Sequence, residues 1–278
     1  MTSTLPGTSI EIVRPLNLTE PPSLAVFDFD GTLSLIRGGW TDIMVGMMFE
    51  RLRELRRSDE SDDALQELIR RYVLDLNGSP TIFQMERYAR EITDRGGTAE
   101  PAIHYHHEYL RRLGERVEER KSSIRAGQTT VADHAVPDAH RFLSDIQQRG
   151  WEITLASGTE IEFVREESAI LKIDGFFGER VFAPGAKPQA FSKRAVMEDL
   201  LHRQGVTGEA LVGFGDGVVE TRAVTELGGV AVGIACDETH RDGRVDPRKR
   251  QELIAAGAAV IIPDYRDGAA LLNLLCKQ

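Results

Sequence analysis

Asp28 and Asp30 stand two residues apart at the end of the apolar run in Val26-Phe27-Asp28-Phe29-Asp30-Gly31-Thr32-Leu33. On an extended strand both side chains leave the same face, about 6–7 Å apart. Two carboxylates so placed repel each other, and both stay ionised only with a cation between them; otherwise one keeps its proton. The C-terminal end of a buried parallel strand is also where α/β folds hold their chemistry. One reading is therefore a divalent metal with a division of labour between the two acids, and the other is an Asp-Gly turn closing an ordinary strand.

Two later stretches repeat the pattern of an apolar run ending in small or charged residues, and a lysine lies between them. Leu155-Ala156-Ser157-Gly158-Thr159 ends in a hydroxyl and a glycine, and the Ser157 hydroxyl with the exposed amides of such a turn can hold a phosphate oxygen. A plain loop or helix cap is the alternative. Leu211-Val212-Gly213-Phe214-Gly215-Asp216-Gly217-Val218-Val219-Glu220 ends a strand in acid, with glycines that let the backbone approach a ligand and Glu220 one helical turn on. Oxygen ligands of this kind suit Mg²⁺, which keeps several waters and takes one or two carboxylates. Lys193 begins the helix that feeds the Asp216 strand and can offset the crowded acids. Lys187, in Gly185-Ala186-Lys187-Pro188, is the rival and is less well placed.

The elements that must position these residues come in two textures. From Pro137 strand and helix patterns alternate, with helix faces such as Ala139, Phe142, Leu143 and Ile146 and strands over 151–156, 210–213, 229–235 and 258–262. The intervening helices cover about 194–203, 218–226 and 247–256. Such βα units predict a parallel sheet covered by helices on both faces, which the Asp28 strand joins. Between Ser34 and that region lie apolar stripes of helical period. These are Ile43-Met44-Met47-Met48-Leu52, Leu65-Leu68-Ile69-Tyr72-Val73-Leu76, Ile82-Met85-Ala89-Ile92, and a fourth over 103–120 with His106, Leu110, Leu113 and Val117 on one side. Asn77-Gly78-Ser79-Pro80 and Gly96-Gly97-Thr98 read as turns. The expected organisation is an N-terminal loose arm over 1–22, an α/β core over 23–35 and 130–278, and a helical insert over 36–129.

The formal net charge of −10 argues against nucleic-acid and anionic-membrane partners, which want a basic face. No apolar run approaches the ~18 residues of a membrane span, and the first 22 residues do not read as a signal peptide. Cys236 and Cys276 are far apart and read as structural thiols of a reducing cytoplasm. Of His104, His106 and His107, the first and last share a helix face, but no Cys or acid is spaced to complete a zinc site, so they read as surface or partly packed residues. The run Arg51, Arg53, Arg56 and Arg57 reads as a solvated helix face, and 237–246 as a charged loop after a core strand, with a place lining the site as its other reading. The association state stays open.

Taken in order, Asp28-Phe29-Asp30-Gly31-Thr32-Leu33, Ser157, Lys193 and Gly215-Asp216-Gly217-Val218-Val219-Glu220 make the chain resemble the haloacid dehalogenase-like superfamily. The separation of Lys193 from Asp216 is similar to that of its phosphoserine-phosphatase branch. The resemblance implies a Rossmann-like parallel sheet, with the insert as an α-helical C1-type cap that sets substrate choice. It implies that Asp28 attacks phosphorus to form an aspartyl-phosphate, and that Asp30 protonates the leaving alcohol and then activates water. It implies Mg²⁺ held by the Asp28 carboxylate, the Asp30 carbonyl and Asp216. Glu220 stands where many members carry Asp and lies behind the ligands, with direct ligation the alternative. Ser157, Lys193 and backbone amides near Phe29 and Gly158 would bind phosphoryl oxygens, with Thr32 also at the substrate. Arg37 follows the first motif directly and reads as an anion contact over the phosphate, with a solvated hinge arginine as the alternative.

Within the resemblance, the acid at Asp30 implies phosphate esters, because dehalogenases and P-type ATPases lack one there and phosphonatases commonly have Ala. The implied activity is hydrolysis of a small phosphorylated metabolite in the cytoplasm. A phosphotransferase, or a module that stores phosphate without hydrolysis, are the alternatives.

Overall fold

Leu24–Phe27, the third strand in chain order (β3), is apolar at every position, and a strand with no polar face belongs inside a parallel sheet. The structure is a computed structural model describing residues 2–16, 18–76, 81–185 and 191–276, and in it β3 is buried throughout. Glu152–Ala156 (β4) and Leu211–Gly215 (β6) flank β3 in parallel, with Phe27 opposite Leu155 on one side and Phe214 on the other. Val181–Phe182 (β5) lies beyond β4, while Val230–Ile234 (β7) and Val260–Ile262 (β8) extend the sheet beyond β6. This in-register pairing brings the C-terminal ends of β3, β4 and β6, which carry Asp28, Ser157 and Asp216, to one edge of the sheet.

The N-terminal stretch departs from the loose arm expected of it. Ser3–Thr4 (β1) pairs antiparallel with Glu11–Ile12 (β2), and β2 pairs antiparallel with β8, so the eight-stranded sheet is mixed. Ile10 is fully buried, Arg250 donates to both Glu11 oxygens, and Ser9 donates from its N–H and hydroxyl to Asp267 at 2.7 Å. Two-residue strands carry no alternation, so a periodicity reading passes over them. It also passes over β5 and the helix Ile161–Ile170.

The chain divides into two compact units, residues 1–38 with 120–278, and residues 39–119. The first holds the sheet and the helices Ala139–Gln148 (α5), Ile161–Ile170 (α6), Asp174–Phe177 (α7), Lys193–Gln204 (α8), Val218–Glu226 (α9), Pro247–Ala255 (α10) and Gly268–Leu275 (α11). The second is built from Trp40–Glu54 (α1), Asp62–Asp75 (α2), Ile82–Asp94 (α3) and the part of Ala102–Arg125 (α4) up to Glu119. Ser61 caps α2 by accepting from Ala64 N–H, and Met44, Met48, Leu65, Ile69, Met85 and Ile92 fill this unit's interior.

On α4 the buried row is Tyr109, Leu113 and Val117, whereas Leu110 is 47% exposed, contrary to the stripe expected. One residue on from Tyr109, Leu110 points about 100° away round the helix. Gly96 makes its turn with φ +80°, while the turn expected at 77–80 lies outside the described residues. His104 and His107 are exposed, and both cysteines are free thiols. Among the described residues no helix is long and apolar enough to cross a membrane.

Behind the sheet's chemical edge lies an aromatic cluster. Phe27 stacks on Phe214 with ring centroids 4.4 Å apart, Phe142 meets Phe214 edge-on, and Phe142 stacks on Tyr265 at 4.8 Å. Phe27 is fully buried and is followed directly by Asp28. Phe27→Ala is therefore expected to cost about 3–5 kcal/mol of stability, read as a lower midpoint in urea denaturation.

Candidate active site

Asp28 leaves β3 with its N–H bonded to the Phe214 carbonyl at 2.9 Å, which ties the turn after β3 to β6. The turn then closes on itself: the Phe29 carbonyl accepts from Leu33 N–H and Ser34 N–H, both at 2.9 Å, and Gly31 N–H donates to the Ser34 carbonyl. Gly31 has φ +70°, and a Cβ there would run into the Asp216 carboxylate, so the position needs glycine for both backbone and space. Ser157 is buried at the end of β4, with its N–H on the Phe182 carbonyl at 3.0 Å. Lys193 is the first residue of α8, which Ser192 caps by accepting from Ala195 N–H.

These elements bring the expected acids together. Asp28, Asp216 and Glu220 each offer a carboxylate oxygen within 4.8 Å of the others. Lys193 Nζ lies 2.7 Å from Asp28 Oδ1 and 3.1 Å from Glu220 Oε2, and the other Glu220 oxygen accepts from Gly217 N–H at 2.6 Å. An all-oxygen set with surplus negative charge fits a hard divalent cation. No acceptor among the described residues takes the N–H of Phe29 or of Gly158.

Burial sets the electrostatics. It pushes Asp28 well above the ordinary carboxylate range, against the pull of Lys193, and the charges of Glu220 and Asp216 push the same way. Burial likewise raises Asp216 to about 6, opposed by Lys249. Asp30 is raised by burial, with Arg37 and a hydrogen bond from Thr159 acting the other way. For Glu220 burial is outweighed by Lys193 and by backbone N–H groups, and its carboxyl falls below the usual value. Burial also works against the charge of Lys193, but Asp28 and Glu220 more than compensate and hold it as ammonium.

Several residues at this edge escaped the sequence reading. Thr159 donates to Asp30 Oδ2 at 2.7 Å, while Asp30 Oδ1 is buried without a hydrogen-bond partner. Lys249 Nζ lies 2.8 Å from Asp216 Oδ2 and 2.7 Å from Glu238 Oε1. Thr159 adjoins Ser157-Gly158, and that adjacency was its only signal. Lys249 sits in Arg248-Lys249-Arg250, which looks like any solvated helix start.

Arg37 is joined to the fully buried Glu167 by two hydrogen bonds, at 3.2 and 2.7 Å, and its Nε is 3.9 Å from Asp30 Oδ1. Its guanidinium also lies 5.2 Å from the centroid of the Phe163 ring. Thr32 is buried in the turn and its hydroxyl has no partner. Phe29 is fully buried, and Lys187 lies outside the described residues.

A protein-family model for haloacid dehalogenase-like hydrolases matches residues 22–228, a span that contains every one of the expected motifs. The chain belongs to this family. A haloacid dehalogenase-like protein of unknown function from Agrobacterium tumefaciens has the same fold at 13% identity and a TM-score of 0.60, covering 92% of this chain and 100% of its own. A protein titled a predicted phosphoglycolate phosphatase from Haemophilus somnus aligns at 16% identity and a TM-score of 0.56, over 90% of this chain and 97% of its own. A HAD family hydrolase from Deinococcus radiodurans, with bound phosphate and sodium, aligns at 16% and 0.57, over 93% and 99%. The haloacid dehalogenase-like hydrolases thus supply both a sequence family and a set of fold neighbours that includes a predicted phosphoglycolate phosphatase. A search of curated proteins finds no match.

Proposed function

We propose that this hydrolase is a Mg²⁺-dependent phosphatase acting on a small phosphate monoester through an aspartyl-phosphate intermediate. The observation that carries the reading is the pair of acids at the end of β3. Asp28 is held by an ammonium, while Asp30 has one oxygen fixed by Thr159, the other free of any hydrogen bond and 3.9 Å from Arg37 Nε, and a carboxyl raised by burial. An acid kept ready to protonate a leaving oxygen is what ester cleavage needs, and a module that only stores phosphate gains nothing from it.

In this mechanism Asp28 attacks phosphorus while Asp30 gives its proton to the departing alcohol. Asp30, now a carboxylate, takes a proton from the water that hydrolyses the intermediate. Lys193, Ser157 and the Phe29 and Gly158 N–H groups hold the phosphoryl oxygens, where charge stabilisation is usually the largest contribution. Asp28, the Asp30 carbonyl and Asp216 would hold Mg²⁺, which when bound neutralises charge on the transferring group. Both Glu220 oxygens are engaged by Gly217 N–H and Lys193, which favours Glu220 as the group that orients Lys193 over direct ligation.

Steady-state hydrolysis of p-nitrophenyl phosphate with and without Mg²⁺ tests the reading, and turnover indifferent to metal would defeat it. Asp30→Asn is expected to lower kcat for an alkyl phosphate by roughly 10²–10⁴-fold. The formation of phosphoenzyme from p-nitrophenyl phosphate should suffer less, because nitrophenolate leaves without a proton. Equal losses in the phosphorylation step for both esters would remove Asp30 from the acid role.

A further inference from the structure

Lys249 is a second, partly buried lysine at the acid cluster, one for which the phosphatase mechanism has no use. It lies on the first turn of α10, where Asp246 caps the helix by accepting from the N–H groups of Arg248 and Lys249. The capped turn fixes the backbone, and the side chain ends with Nζ 2.8 Å from Asp216 Oδ2 and 2.7 Å from Glu238 Oε1. Glu238 comes from the loop after β7, and its other oxygen packs so closely against Gly38 that a Cβ there would meet it. Of the two partners of the ammonium, Asp216 alone belongs to the group of acids that fits a cation.

The charges around Asp216 make this contact consequential. Of the three acids Asp28, Asp216 and Glu220, Lys193 pairs with Asp28 and Glu220, and Asp216 pairs with Lys249. Without a metal the Asp216 charge is balanced by Lys249. With a metal, the ammonium and the divalent cation compete for the same carboxylate, and Glu238 is the acid onto which the ammonium can fall back.

We propose that Lys249 is a positioning residue for Asp216, a built-in counterion that Glu238 draws off when a divalent cation binds, so that the Lys249–Glu238 pair sets the affinity of the site for its metal. The inference rests on the cation reading of the site given above. It concerns only residues of the α/β unit and predicts opposite signs for its two members. Without Lys249, Asp216 and Glu238 face each other as like charges, and cation uptake gains. Without the charge of Glu238, the ammonium belongs to Asp216 alone, and cation uptake loses.

The test is direct calorimetric titration of the metal-free protein with Mg²⁺ in the absence of substrate, with thermal melts of the same samples. Lys249→Met is expected to tighten Mg²⁺ binding by ten-fold or more, to lower the metal-free melting temperature, and to enlarge the rise in melting temperature that Mg²⁺ produces. Glu238→Gln is expected to weaken Mg²⁺ binding by three-fold or more, and this arm stands if Lys249→Met does not fold. A purely structural ion pair would lower the metal-free melting temperature in both variants and leave Mg²⁺ affinity unchanged, which would overturn the proposal while sparing the phosphatase reading. A wild-type protein that takes up no Mg²⁺ would overturn both.

Discussion

Asp28→Asn is expected to lower kcat for phosphate-ester hydrolysis by roughly 10⁴–10⁶-fold, the scale on which removal of a nucleophile is felt. Asparagine keeps the shape of the side chain and an oxygen for Lys193 but cannot form an acyl phosphate that water will cleave. The loss should not be one of folding. Burial pushes the Asp28 carboxyl well above its ordinary range, so the ionised form is carried by the metal-free protein at a cost, and the neutral amide removes it.

The sign follows from linkage. An acid whose value is raised in the folded state supports stability below its unfolded value of about 3.9 and loses that support as pH rises through the folded value, which for Asp216 is about 6. The metal-free wild type is therefore expected to lose stability over that window from these two acids, and Asp28→Asn should flatten the loss. Activity comes from steady-state assays and stability from thermal melts at pH 4.5 and 7.5 in chelator. An Asp28→Asn protein within ten-fold of wild-type turnover would remove Asp28 from the nucleophile's role.

Lys193→Met is expected to damage both function and fold. Its ammonium lies 2.7 Å from Asp28 and 3.1 Å from Glu220, and both acids are largely buried. Removing one member of a buried charge cluster typically costs about 3–5 kcal/mol, because the partners are left uncompensated. Losing a preorganised positive group at the transferring phosphoryl typically costs on the order of 10²–10³-fold in kcat. Raising Mg²⁺ should recover part of the stability, since a divalent cation offsets the same acids, but little of the rate. Lys193→Arg should not restore activity, because a planar fork cannot occupy the place of a compact ammonium between two carboxylates. If Lys193→Met kept full turnover, phosphoryl binding would have to be assigned elsewhere.

How much of this was legible beforehand depends on where each residue's information lies. Asp28, Ser157 and Asp216 each follow an apolar run, and Lys193 opens the helix before the Asp216 strand, so local pattern alone marks all of them as edge residues. Once the strands are parallel, their ends must share an edge, and the site follows from topology without any knowledge of side-chain contacts. The N-terminal strands were illegible for the opposite reason. Two residues cannot display a period, and Glu11–Ile12 is a strand because it pairs with β8 on one side and Ser3–Thr4 on the other.

Within the site, the amino-acid sequence by itself determined the reactive groups and the sheet edge that carries them, because strand propensity, glycine turns and burial pattern are local properties. Only the tertiary structure decided which groups answer each other. Thr159 bonds Asp30 across 129 residues, Glu167 holds Arg37 across 130, and Lys249 reaches Asp216 across 33. Each of these partners is an ordinary polar residue on its own helix or loop. A hydrogen bond or ion pair acts over a few ångströms of space and has no fixed spacing along the chain, so its members become visible only when packing has set them side by side.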